Sequence, residues 1–246
     1  MKNKTNGIKP YQKEFDYSYA LGAYATIELL QVRPDIVRSV LLHSKCTDRA
    51  RVVDLCRING IPIVYDDNRI ARISPKENCY VIGVFSKYED RIEEDKPHLV
   101  LVQPGDMGNV GTILRMAAGF HVGNLAIVLP AADRFHPRTV RASMGSLFRM
   151  KCETFQTFDH YRSRFGQHRL FPFMLHGETV LTPNNCPRAE LFSLIFGNEA
   201  TGLDEALFGK VGTSLTLPQS ELVDSLNLSV AAGIGTYLFA SKNGLI

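Results

Sequence analysis

The sequence predicts an α/β protein: a C-terminal parallel sheet with helices on both faces, preceded by a small α/β/α layer domain. Three observations predict it. Short apolar runs alternate with segments of helical period along most of the chain. Some runs, such as His98–Val102, are nearly continuous in apolar character, as strands buried on both faces are. Residues 87–97 interrupt the pattern with Glu89, Asp90, Glu93, Glu94 and Asp95, and close on Pro97.

In the first segment, residues 18–32 have a helical period with Leu21, Ala25, Leu29 and Val32 on one stripe. Strands are predicted over 37–42, 61–64 and 79–85, and a short helix over 67–73. A second helix is predicted over 48–59, with Asp48 near its start and Gly60 just past its end. The charged stretch reads as a linker. It divides the chain into a flexible tail (1–14), an α/β domain (15–86), the acidic linker (87–97) and a C-terminal domain (98–246). In that last domain, strands are predicted over 98–102, 125–129, 151–155, 170–175, 191–196 and 214–217. Helices are predicted over 109–118, 158–165, 203–208 and 225–240, and the stretch between 129 and 151 is basic and irregular.

Composition narrows the function classes. A length of 246 residues fits one large or two modest domains. No apolar run is long enough to span a bilayer. Residues 1–13 are polar and basic, without the apolar core of a secretory signal, so a cytoplasmic protein is expected. The five cysteines (Cys46, Cys56, Cys79, Cys152, Cys186) form no C-x-x-C pair and no zinc spacing with histidine. They read as reduced structural thiols, and no metal is expected. Net charge is only +3, but it is unevenly placed. Arg134, Arg138, Arg141, Arg149, Lys151, Arg162, Arg164 and Arg169 crowd one segment, which suits a polyanion and equally an ordinary solvated surface.

Three constellations carry polar chemistry. The first runs from Gly108 through Asn109 and Gly111 to Arg115, between a strand and the helix that follows. Its glycines allow close backbone approach, the helix start offers free amides, and Asn109 occupies an N-cap position. A capped helix with a surface arginine is the alternative. It matches neither a Walker loop nor a dinucleotide turn. The second, Phe196 to Leu203, follows an apolar strand at the carboxyl edge where open α/β sheets bind ligands, and presents Glu199 between Gly197 and Gly202. A solvated loop glutamate is the alternative there. The third, Leu217 to Gly233, places Ser225 as a candidate N-cap and crowds Asn227 and Ser229 into the first turn of a helix. Beyond them Leu226, Val230, Ile234 and Leu238 follow helical spacing, and the small residues Ala231 and Gly235 suggest tight packing.

In this order and at these separations, the constellations resemble the motifs of the SpoU (TrmH-like) family of SPOUT methyltransferases. The family pattern is N-x-G-x-x-x-R, then G-x-E-x-x-G-L, then I-P…S-L-N-x-S-x-A, and the resemblance covers about residues 98–240. It implies a domain with a deep trefoil knot that binds S-adenosyl-L-methionine, working as a homodimer on RNA. It places Gly197, Asn198, Leu217, Pro218, Leu226 and Ser229 at the donor, and Asn109, Arg115, Glu199, Ser225 and Asn227 among catalytic or substrate-positioning residues. Residues 15–86 resemble a small RNA-binding domain shared with kink-turn-binding ribosomal proteins. Arg134, Arg138 and Arg141 become candidate RNA contacts. Met107 departs from a frequent proline, and Leu217 and Gln219 from the commoner Ile and Met around Pro218.

The implied reaction moves a methyl group to a ribose 2′-hydroxyl, on ribosomal RNA ahead of transfer RNA. A guanidinium stays protonated, so Arg115 is expected to clamp a phosphate rather than act as base. Glu199 or a phosphate oxygen is then expected to receive the proton. Two other readings remain open at this point: a non-catalytic RNA-binding protein on the same fold, and a phosphate-binding α/β enzyme using the Gly108–Gly111 turn.

Overall fold

A computed structural model describes residues 9–74 and 78–246 of the chain. Two compact units are formed. The first comprises the chain up to Tyr88 together with residues 133–148; the second comprises residues 89–132 and 149–246.

The first unit holds β1 (Tyr17–Leu21), α1 (Ala23–Val32), β2 (Val37–Leu42), α2 (Arg49–Ile58), β3 (Ile63–Tyr65), α3 (Asp67–Ile73) and β4 (Val81–Ser86). Its sheet has the order β1-β4-β2-β3, with β2 and β3 parallel and the other two pairings antiparallel. Residues 17–21 are therefore a strand, where the stripe through Leu21 predicts helix. The break falls at Gly22, whose φ of 94° a side chain would strain, and the helix starts one residue later. The strand's alternating Tyr17 and Tyr19 match its partner β4, which lies more than sixty residues on and is invisible to a local period.

The second unit holds β5 (His98–Val102), α4 (Met107–Gly119), β6 (Asn124–Val128), β7 (Lys151–Phe155), α6 (Phe158–Arg164) and β8 (Arg169–Pro172). It continues with β9 (Thr179–Val180), β10 (Phe192–Phe196), α7 (Glu205–Phe208), β11 (Leu215–Thr216) and α8 (Leu228–Lys242). The main sheet is parallel throughout, in the order β7-β6-β5-β10-β8. Strands β6 and β10 are buried at every position, as a sheet covered on both faces requires. A short parallel pair, β9 with β11, lies apart from it. The β9 strand falls in a stretch with no element predicted.

Residues 133–148 are not irregular. They form helix α5 (Pro137–Ala142) and a single 3-10 turn, and they pack into the first unit. The rings of Phe135 and Phe148 lie 6.2 and 5.1 Å from that of Phe85, and Ser18 Oγ donates to the Phe135 carbonyl. Residues 9–14 of the expected tail are also engaged: the Tyr11 hydroxyl donates to Asp133 and the Tyr19 hydroxyl to the Lys9 carbonyl. Residues 1–8 of that tail lie outside the described residues.

The acidic stretch is docked on the second unit rather than left as a solvated linker. Ile92 is buried in the core cluster around Phe155, Tyr161 and Phe165. Its amide donates to Glu153, its carbonyl accepts from Arg164, and the Glu93 amide donates to Asn124. Lys151 pairs with Glu93 at 3.0 Å, and Arg164 with Glu153 at 2.6 Å and Glu94 at 3.5 Å. The acidic and basic blocks of the sequence thus neutralise one another in part, which removes Lys151 and Arg164 from the supply of surface cations.

Candidate active site

The strand order fixes where a site can form. From β5 the chain moves outward to β6 and β7, then returns to place β10 and β8 on the other side. The order reverses between β5 and β10, the crevice at whose carboxyl ends open α/β sheets bind ligands. The loops leaving those two strands carry the first two constellations.

Glu199, in the loop after β10, joins them. Its carboxylate accepts from the backbone amides of Gly105 (2.8 Å) and Asp106 (3.1 Å) and from Asn109 Nδ2 (2.9 Å). Partial burial pushes its pKa up, but Asn109 and the two backbone donors outweigh that and hold it below the usual glutamate value. Because Asn109 gives its NH2 to the carboxylate, its carbonyl oxygen is left to accept. It does so from Asn227 Nδ2 at 3.1 Å. Asn227 Oδ1 in turn accepts from the Ser229 amide (2.8 Å) and hydroxyl (2.7 Å). One polar chain therefore runs Ser229–Asn227–Asn109–Glu199 and ends on loop amides, tying together three segments far apart in sequence.

Two caps differ from expectation. Asp106, not Asn109, caps α4, accepting from the Asn109 amide at 2.9 Å. Asn227, not Ser225, caps α8. Both shifts free polar groups for the site: the Asn109 side chain points to Glu199 instead of its own helix, and Ser225 sits on a cavity wall. Asp106 stands three residues before Asn109, at capping distance, and was legible as an N-cap. The amides of Gly105 and Asp106 that donate to Glu199 were not.

Beside Glu199 opens a cavity of about 530 Å³. Gly197, Asn198, Glu199, Leu217, Ser225 and Leu226 line it; Pro218 and Ser229 do not. Sequence reasoning missed its wall from the end of β8, where Phe173 stacks on Phe196 with centroids 4.5 Å apart. The Phe173 ring also explains Gly235, since a Cβ there would meet it at 2.6 Å. Gly197 is required for a different reason: its Cβ would stand 2.2 Å from the Gly202 backbone. Asn198 braces the same turn, donating to the Gln103 carbonyl (2.8 Å) and accepting from the Ala200 amide (2.9 Å).

Arg115 is exposed on α4 and makes no hydrogen bond or ion pair among the described residues. It is outside the polar chain, with its guanidinium available to an external anion. Of the candidate RNA contacts, Arg138 and Arg141 are exposed on α5. Arg134 is only 5% exposed and donates to the Tyr88 carbonyl at 2.8 Å, so burial withdraws it from that role. Among the described residues no group of three or more His, Cys, Asp or Glu side chains could hold a metal ion, and no helix is long and apolar enough to cross a membrane.

The profile of the SpoU rRNA Methylase family matches residues 96–237. The chain is 28% identical over 149 residues to the 23S rRNA (guanosine(2553)-2′-O)-methyltransferase RlmP of Bacillus subtilis, covering 61% of this chain and 60% of that protein. It is 28% identical over 170 residues to the 23S rRNA (uridine(2479)-2′-O)-methyltransferase of Streptomyces viridochromogenes, covering 65% and 58%. The chain thus spans about three-fifths of the length of these two relatives. Among solved structures, an rRNA methyltransferase from Sinorhizobium meliloti superposes with a TM-score of 0.78 at 25% identity, over 94% of this chain and 90% of that one. AviRb from Streptomyces viridochromogenes, in complex with AdoMet, shares the fold with a TM-score of 0.78 at 21% identity, over 92% and 90%. A protein described by its 2-OH methylation of C/U34 on tRNA reaches a TM-score of 0.53 at 28% identity, over 59% of this chain and 94% of its own. With a profile match over more than half its length and all three motifs in place, the chain belongs to the SpoU rRNA Methylase family.

Proposed function

We propose that the protein transfers a methyl group from S-adenosyl-L-methionine to a ribose 2′-hydroxyl of ribosomal RNA. The observation that carries this reading is the Ser229–Asn227–Asn109–Glu199 chain at the strand-order reversal, whose Glu199 also lines a cavity of about 530 Å³. The residues present fit the donor. The volume suits a molecule of its size, the walls combine apolar side chains such as Phe173 and Leu226 with the carboxylates Glu199, Asp204 and Glu205, and among the described residues no lysine or arginine lines the cavity to repel a sulfonium. The donor would be held by the backbone around Gly197, Leu217 and Leu226, with Asn198 bracing the turn.

When bound, the donor supplies a methyl group on a cationic sulfur, which reacts by in-line displacement. The protein's part is alignment and charge. Arg115 clamps the phosphate beside the target ribose through its planar fork and favours oxyanion character developing on the 2′-oxygen. Glu199 is already saturated by three donors and its pKa is lowered, so it is a poor proton acceptor. Its role is to position Asn109, and through it Asn227. The proton then leaves to bulk water by way of the clamped phosphate, since a phosphodiester oxygen is too weak a base to keep it. Ser225, on the cavity wall, contacts donor or ribose.

The C-terminal part is threaded as the family's trefoil knot, consistent with the turns after β10 and β11 and the start of α8 converging on one cavity. The protein works as a homodimer. Val230, Ile234 and Tyr237 form a stripe at helical spacing along α8 and are 48%, 41% and 50% exposed, an apolar face that a second copy would cover. The first unit is the RNA-binding domain, and Arg138 and Arg141 meet RNA phosphates. The activity is proposed for the cytoplasm, where the absence of a secretory signal pattern in residues 1–13 leads it to be expected. Ribosomal RNA is preferred to transfer RNA because the neighbours described as acting on rRNA superpose over nearly the whole chain. The tRNA-modifying neighbour matches only about three-fifths of it.

Ribose-methylation mapping across total RNA, in cells with and without the gene, tests the reading. Loss of one or a few 2′-O-methyl marks from ribosomal RNA is expected. An unchanged rRNA map with a mark lost from tRNA would move the substrate, and no change in either would overturn the proposal.

A further inference from the structure

We infer that the carboxyl edge of β2 and β3 in the first unit binds an unpaired nucleobase of single-stranded RNA, stacked on the Tyr65–Arg49 pair. The class of partner rests on the methylation reading above; the location rests on observations of its own. Strands β2 and β3 are parallel neighbours in register, Leu42 opposite Tyr65, so the segments that follow them leave from one edge. There Tyr65 is 57% exposed, and the guanidinium carbon of Arg49, at the start of α2, stands 4.9 Å from its ring centroid. An exposed aromatic ring already stacked with a guanidinium is the platform on which single-stranded bases add, because every base offers a π face.

A chance surface pair would sit on a loose loop, and this loop is built. The Lys45 amide donates to His43 Nδ1 at 3.0 Å, and the Ser44 amide and hydroxyl donate to Asp67 at 2.9 and 2.6 Å. The Tyr80 ring closes edge-on against His43, with centroids 5.2 Å apart. Local carboxylates are mostly spent internally: Asp67 on Ser44 and His43, Asp66 on Arg69 at 3.2 Å. Asp48 stays exposed, with a 3.5 Å contact from Thr47. Lys45 and Arg49 are exposed and form no ion pair or side-chain hydrogen bond with a carboxylate among the described residues, though Lys45 lies near enough to Asp67 to help hold its pKa down. A fixed turn therefore presents a stacking surface flanked by two cations. Arg49 stacks, and Lys45 is placed to meet the phosphate beside the stacked base.

The test uses the full chain and a short single-stranded oligoribonucleotide carrying 2-aminopurine, whose fluorescence is quenched by stacking. Tyr65→Ala should weaken binding about tenfold and abolish the quench, while Tyr65→Phe keeps both. Neither variant should change the far-ultraviolet circular dichroism spectrum, which reports folding of both units, nor affinity for S-adenosylmethionine, nor affinity for a duplex of the same sequence. Wild-type binding and quench in Tyr65→Ala would overturn the inference, as would no binding of the oligonucleotide by the wild type. Methyl transfer separates this from the functional reading. If the wild type methylates ribosomal RNA and Tyr65→Ala does so with unchanged KM, only the stacking site fails. If the wild type methylates no RNA, the reading itself fails.

Discussion

Asn109 and Glu199, ninety positions apart in the chain, are joined by a 2.9 Å hydrogen bond that links the first turn of α4, which follows β5, to the loop after its neighbour β10. The carboxylate must remain ionised to accept from Asn109 and the two loop amides together. Replacing Glu199 with Gln turns one acceptor oxygen into a donor that faces N–H groups. Methyl transfer should fall on the order of 100-fold through misalignment, with donor affinity changed only a few-fold. Isothermal titration with the donor, alongside single-turnover transfer, checks it. Equal losses in binding and transfer would instead mean that Glu199 shapes the donor cavity.

That pairing also shows how much of the site was legible. The residue types and spacing of all three constellations stood in the sequence, and resemblance assigned them to one site. Which atom bonds to which was not legible, because the partners come from segments brought together only by the order β5-β10. Two caps were displaced for the same reason: Asn109 and Ser225 have local capping chemistry, but tertiary partners claim Asn109, while Asp106 and Asn227 do the capping. The parallel sheet was legible from its continuous apolar strands. The β1 strand was not, because its partner β4 is distant. The acidic stretch 87–97 has the composition of a linker, and only its distant partners Glu153, Asn124 and Arg164 show it to be packed.

Arg115→Lys separates a phosphate clamp from other roles. Lysine keeps the charge and loses the planar fork. Transfer should drop about tenfold, mainly as a raised KM for RNA, with an unchanged pH profile. Because Arg115 is exposed and unpaired among the described residues, the unfolding midpoint should stay within experimental scatter. A shifted pH profile would point to a part in proton transfer.

Gly197→Ala should break the donor turn. Its Cβ would fall 2.2 Å from backbone, which no rotamer can relieve. Relaxing the loop should cost about 1–3 kcal/mol of stability and at least tenfold in donor affinity. Urea unfolding and calorimetry measure the two. Wild-type donor affinity would show that the turn does not hold the donor.

Stability should fall with acid in a window set by two buried histidines. His98 Nε2 bonds the Glu93 carbonyl (2.6 Å) and His168 Nε2 the Glu94 carbonyl (3.1 Å). Their Nδ1 atoms meet the hydroxyls of Tyr161 and Ser193. Burial drives the His98 pKa down to about 3, and lowers that of His168. Both are neutral when folded, whereas an unfolded histidine titrates near 6.5. The unfolded chain therefore binds more protons below that pH. The contribution is full above about 6.5 and is lost as pH falls from there toward 3. Urea midpoints across that range test it, with His98→Gln expected to flatten the slope.

Ile234→Glu should convert a dimer to a monomer, since it places a charge in the middle of the exposed apolar stripe of α8. Sedimentation velocity reads the change directly. A wild-type monomer would leave that stripe unexplained and remove the homodimer from the account.

The most direct measurement combines purified protein, S-adenosyl-L-methionine labelled on its methyl group, and ribosomal RNA from cells lacking the gene. The RNA is digested to nucleosides and the labelled species identified by mass. Label is expected only in 2′-O-methylated nucleosides, at a rate on the order of 100-fold lower with Glu199→Gln. Label on a base, or no transfer by a protein that binds the donor, would contradict it.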